Sequence, residues 1–197
     1  MRWAFWRTPS TGGGPPPARV PPPADDHVLD RAWLGVVRDT VVDVVHEILA
    51  GDAAAVRTTT DLFRSRLAAG PPDQEGLTVI ASLASLSVRL PARSGVTGAV
   101  HDDPDAMRLL LSYADLLAER AEPLRARTAP QISREQVRLA AHFACGAPDS
   151  DPALTALKSS AAADQLLAAC VLLAQTCLDA GGSAQDIARE IDEAFPA

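Results

Sequence analysis

Residues 28–50 read VLDRAWLGVVRDTVVDVVHEILA, and this stretch decides the fold. Leu29, Trp33, Val36, Val37, Val44 and Ile48 recur at helical spacing, with Val41, Val45 and Leu49 beside them. Arg31, Arg38, Asp39 and Asp43 fall on the opposite side, which makes an amphipathic stripe. The valines favour extended backbone locally. A strand of this length lies far outside the usual range, so period and length together predict one long helix. Gly51 supplies its stop.

The same logic carries along the chain. Asp52 caps a second helix through Val56, Phe63 and Leu67, closed by Gly70-Pro71-Pro72. Asp73 caps a third, apolar along Leu77, Ile80, Leu83, Leu86 and Leu90. Residues 91–104 read as a loop, after which Asp103 and Pro104 open a fourth helix bearing Met107, Leu110, Leu111, Ala114 and Leu117. The segment from Pro123 to Pro130 is the candidate interior boundary. Ser133 to Gln136 forms a capping box for a fifth helix ending at Gly146, and Asp151-Pro152 opens a short sixth. Residues 162–180 are apolar nearly all round, the mark of a buried central helix, and Gly181-Gly182 ends it. Ser183 to Asp186 caps the last helix, with Ile187, Ile191 and Phe195 on one side. No stretch alternates with a period of two. The expectation is an all-α domain over 28–197, one bundle of about seven or eight helices.

Residues 1–27 are of another kind. Residues 8–24 hold seven of the 16 prolines and a triple glycine, so a disordered tail is expected. At about 3.1 Å per residue this tether reaches roughly 50 Å. Ahead of it stands MRWAFWR, with two of the 3 tryptophans and one of the 4 phenylalanines. Trp3, Phe5 and Trp6 are the candidate partner-binding residues, an anchor for a protein groove or a membrane surface. At about 2 kcal/mol per ring they offer about 6 kcal/mol before association costs, a weak ligand unless tethered or multivalent.

Charge narrows the function classes. The tail carries Arg2, Arg7 and Arg19 against Asp25 and Asp26; removing these from 18 basic and 25 acidic residues leaves 15 and 23, a net of −8 on the body. Such a body repels phosphate backbones, so nucleic acid is not an expected partner. Cys145, Cys170 and Cys177 are too few for a disulfide scaffold, and the N-terminus lacks the apolar run of a secretory signal. The longest apolar run, Leu166 to Ala174, is nine residues, about half a membrane span. A cytoplasmic protein without a transmembrane segment is expected.

Few residues suggest chemistry. Phosphate-binding loops, nucleophile elbows, zincin motifs and EF-hand loops are absent from the sequence. His101-Asp102 resembles the metal-binding pair of the HD-type phosphohydrolases, an all-α family. That resemblance implies His46 and Asp164 as outer ligands of ions that activate water. In that family the pair lies on a helix, whereas here Asp103-Pro104 follow at once and place it in a loop, where Asp102 and Asp103 serve as caps. Asp43 and His46 share a helical face, but a di-iron bundle requires a second such unit, and none exists. His142 and Cys145 sit at i, i+3, and Cys170 and Cys177 at i, i+7. Seven residues rise about 10.5 Å, too far for two sulfurs on one zinc, so buried apolar thiols are expected. Residues 177–191 imitate a DNA-binding helix-turn-helix, yet Asp186 and Glu190 outnumber Arg189, which favours a plain helical hairpin.

The expectation is therefore a non-enzymatic interaction or adaptor protein with no metal and no cofactor. It pairs a self-sufficient helical body with a tethered aromatic tip that meets a protein partner. An HD-like phosphohydrolase and a DNA-binding regulator are the alternatives.

Overall fold

A computed structural model describes residues 26–71, 73–89, 104–145 and 161–194. They form seven helices: α1 Asp26–Ala50, α2 Ala53–Ala69, α3 Asp73–Arg89, α4 Pro104–Thr128, α5 Arg134–Ala144, α6 Ala162–Ala180 and α7 Ala184–Ala194. No strand occurs among the described residues, and the fold is all-α. Residues 1–25, residues 90–103 and the expected short helix from Asp151 lie outside the described residues, and α1 begins at Asp26, two residues inside the expected tail.

The arrangement follows from α6. All its residues from Leu166 to Cys177 are buried, on every side of the helix. A helix without a polar face has to be enclosed. Each of the other six described helices touches it, and α3, α1 and α5 cover most of its surface. By length and composition α6 could cross a membrane, but 78% of its most apolar window is buried among its neighbours. Buried apolar residues of all seven helices form one cluster, continuous across residues 123–130.

Local chemistry sets the boundaries. Gly51 (φ 76°) and Gly181 (φ 73°) take the left-handed conformation that ends α1 and α6. Asp52 accepts hydrogen bonds from the amides of Ala54 and Ala55 and so caps α2. Ser133 and Gln136 exchange both bonds of the capping box that opens α5. On α1 the core side is Trp33, Val37, Val41, Val44, Val45 and Ile48, as the periodicity predicts. Trp33 stacks on Phe63 of α2 with ring centroids 5.7 Å apart, and its indole N–H donates to the Thr78 hydroxyl of α3 at 3.0 Å. One side chain thus ties three helices together.

Within the candidate boundary of 123–130, α4 runs through Pro123 to Thr128, and the chain turns only afterwards. Pro123 is exposed, so the backbone acceptor it leaves without a donor lies on the solvent side of the helix. On α3 the buried set is not the leucine stripe alone. Thr78, Ser82 and Ser85 are buried with Leu83 and Leu86, while Leu77 is half-buried. Each of the three hydroxyls donates to the carbonyl four residues earlier, at 2.6 to 2.8 Å. A hydroxyl satisfied by its own helix costs little to bury, and its small size lets a neighbour approach.

The dependence on α6 is measurable by urea denaturation. Leu172→Ala, at a fully buried position, is expected to cost about 3 kcal/mol. Leu62→Ala, at a position 54% exposed, is expected to cost less than about 0.5 kcal/mol. Equal costs would refute α6 as the structural centre.

Candidate functional site

The sequence-predicted anchor residues Trp3, Phe5 and Trp6 lie outside the described residues, as do His101 and Asp102. The two outer positions implied by the HD-type resemblance are described. His46 is exposed on α1. Asp164, in the first turn of α6, pairs with Arg64 of α2 at 3.1 Å. Among the described residues no group of three His, Cys, Asp or Glu side chains is placed to hold a metal ion.

The three cysteines are free and buried, as expected of small apolar thiols. Burial pushes the Cys145 thiol up to about 11 and raises Cys170 well beyond its ordinary range. Cys177 is raised too, by burial first, although the Arg89 guanidinium pulls the other way. A thiol held protonated is a poor nucleophile and a poor ligand.

A cleft of about 690 Å³ lies beside the turn between α6 and α7. Its lining includes Arg89 from α3, Tyr113 from α4, Thr176 and Asp179 from α6, and Asp186 and Glu190 from α7. Its charges are spent on one another. Arg89 grips Glu190 in a fork, Nε to Oε2 at 2.6 Å and Nη2 to Oε1 at 3.1 Å, and its Nη1 donates to the Cys177 sulfur at 3.3 Å. Arg189 pairs with Asp186 at 2.9 Å, and Arg120 reaches Asp179 at 2.6 Å. The Thr176 hydroxyl donates to the Leu173 carbonyl. Burial raises the Tyr113 phenol. Asp186 is held below the ordinary carboxylate range by the Ser183 hydroxyl and amide, which it caps. Gly182 admits the guanidinium of Arg89: a Cβ there would lie 3.3 Å from Nη1. The ion pairs of the cleft act as a clamp fastening α7 to α3.

The segment likened to a helix-turn-helix is the hairpin of α6 and α7. Ile187 and Ile191 are buried, and Asp192 binds Arg38 of α1 at 2.7 Å. The solvent side of α7 then offers Gln185, Asp192 and Glu193 beside Arg189, whose charge Asp186 already meets.

Two further polar groups are drawn inward. Glu47 of α1 is half-buried, whereas Asp43 and His46 on the same helix are exposed. Its Oε1 accepts from the Thr59 hydroxyl at 2.7 Å, while Oε2 is buried with no hydrogen-bond partner. Burial lifts its carboxyl above the ordinary range, Thr59 pulls it down, and Asp43 and Asp52 lift it further. His142, expected only as a neighbour of Cys145, is buried on α5 with Nε2 at 2.7 Å from Asp115 Oδ1, and Arg138 Nε reaches the same oxygen at 2.9 Å. Burial pushes the Asp115 carboxyl up, but the bonds from His142 and Arg138 outweigh it and hold the group below its usual range. Sequence spacing finds neither pair, because both partners lie on different helices.

Breaking the clamp has a defined cost. Glu190→Ala strands Arg89, whose side chain is 10% exposed, and is expected to cost about 2 kcal/mol in urea denaturation. Replacing both partners by leucine should stay within about 1 kcal/mol of the parent. Glu47 gives a pH signature. Because folding raises its pKa, its stabilising effect is present at low pH and is lost as pH rises through the raised value. Glu47→Gln should melt above the parent at about pH 7 and together with it near pH 4. A constant offset across that range would show that the carboxyl titrates normally.

No protein-family model matches the chain, and no curated protein or solved structure matches it either.

Proposed function

We propose that this is a non-enzymatic interaction protein: a helical body whose tethered tip, Trp3, Phe5 and Trp6, contacts a protein partner. The observation that carries this reading is how the described helices use their polar groups. Five arginine pairs span helices, the thiols are buried and protonated, and the cleft beside α7 closes on ion pairs. The body's chemistry is thus directed inward to stability. The remaining concentrated apolar chemistry in the sequence is the aromatic tip, set ahead of a proline- and glycine-rich spacer. The reading sets the protein in the reducing cytoplasm, where three unbridged thiols persist.

The test separates binding from folding. Removing residues 1–24 should leave helicity and melting temperature unchanged. A photo-crosslinker at position 6 should give a discrete adduct with one protein in native lysate, lost when Trp3 and Phe5 become alanine. Adducts with lipid alone would make the tip a membrane anchor and reject the protein-partner reading. A truncation cost above about 1 kcal/mol would place the tip within the core and also end the proposal.

A further inference from the structure

The helix α2 is held along one narrow line. Its buried residues are Val56, Thr60, Phe63 and Leu67, spaced four, three and four apart, and most of its other residues are exposed. It packs chiefly on α1 and less on α6 and α4. Among the described residues two polar side-chain links tie it to other helices. Thr59 donates to Glu47 of α1 at 2.7 Å, and Arg64 meets Asp164 of α6 at 3.1 Å. The side chain of Arg64 is 46% exposed, so that pair is weak. The Phe63 ring stacks on Trp33 of α1.

Glu47 therefore stands at the polar link between α1 and α2. Its Oε2 is buried with no hydrogen-bond partner. A neutral carboxyl tolerates this site, because it keeps its bond with Thr59 and leaves only an uncharged oxygen unpaired. An ionised carboxylate leaves charge on an oxygen that neither a donor nor solvent reaches, which is far more costly. The charges that bear on it are Asp43 and His46 from α1 and Asp52 from the cap of α2. The two acids oppose ionisation and His46 favours it. The Cys170 thiol of α6, held protonated by burial, lies within reach of its charge. Arg127 of α4 lies against Gly51 in the turn, and Arg57 of α2 is exposed.

We propose that Glu47 makes α2 a pH-dependent flap: with the carboxyl neutral α2 is closed on α1, and ionisation favours an opening in which α2 lifts and uncovers Trp33. Lifting α2 hydrates Oε2, so the open form prefers the carboxylate and the closed form the carboxyl. Opening therefore increases as pH rises. This proposal does not depend on the aromatic tip.

Hydrogen exchange of the full chain, followed amide by amide between about pH 4 and about pH 8, tests it. With each rate divided by its intrinsic value, α2 amides are expected to exchange faster than α6 amides, through an opening that leaves α6 closed. The ratio of α2 exchange in the parent to that in Glu47→Gln should rise at least about threefold across the range, because glutamine does not ionise. With Thr59→Val in both proteins the rise should be steeper, since the carboxylate then loses its donor. A ratio that stays flat with pH overturns the proposal. So does a single opening shared by α2 and α6, which leaves no separate movement of α2. A rise unchanged by Thr59→Val would mean that the Thr59 link is not made, and equally overturns it.

Discussion

The structure depends on the burial of α6. A helix carrying Leu166, Leu167, Leu172 and Leu173 fully buried, with alanine and cysteine between them, has no side to show to water. At about 2 kcal/mol per leucine removed from solvent, these four side chains alone outweigh any single cap or ion pair at the rim. The six helices around α6 are amphipathic because that is what enclosing it requires. The small residues have their own effect. Alanine on α6 and hydroxyls on α3 shorten the distance between axes, and each hydroxyl is satisfied within its own helix.

A second constraint lies at the rim. Each of α1 to α5 joins a different helix through an arginine: Arg38 to Asp192, Arg64 to Asp164, Arg89 to Glu190, Arg120 to Asp179 and Arg138 to Asp115. Most of these pairs are well exposed and individually weak. Arg89–Glu190 is the exception, being forked and partly desolvated. Their joint consequence is electrostatic. The arginines neutralise carboxylates between helices, and exposed Arg31, Arg57, Arg66, Arg127 and Arg134 lie on the surface of a chain whose net charge is −7 in all.

What was legible in the sequence was local or periodic. The core side of α1, the extent of α6, the cap at Asp52, the capping box at Ser133 and the left-handed glycines at 51 and 181 each follow from residues within a few positions of one another. What was not legible was made by distance. Arg89 and Glu190 are 101 residues apart, and nothing near either announces the other. Glu47 reads as part of a polar face because its own helix gives no sign that α2 will lean over it with Thr59. Pro123 stays inside α4 because the bond it removes lies on the solvent side, and the sequence around it does not show which side that will be. The buried hydroxyls of α3 do not show in a leucine count, because a hydroxyl bonded to its own helix is buried without being apolar. Trp3, Phe5 and Trp6 stand out by composition alone.

The proposed binding role carries an energetic condition. At about 2 kcal/mol per ring, Trp3, Phe5 and Trp6 would offer about 6 kcal/mol before association and ordering costs, too little for a lone tip to hold a partner. A second contact made by the same molecule would turn the tip's encounter into an intramolecular one, at an effective concentration set by the chain between the contacts rather than by the bulk solution. The proposed role therefore asks for more than the three rings: avidity, and not the strength of the tip, would set the affinity.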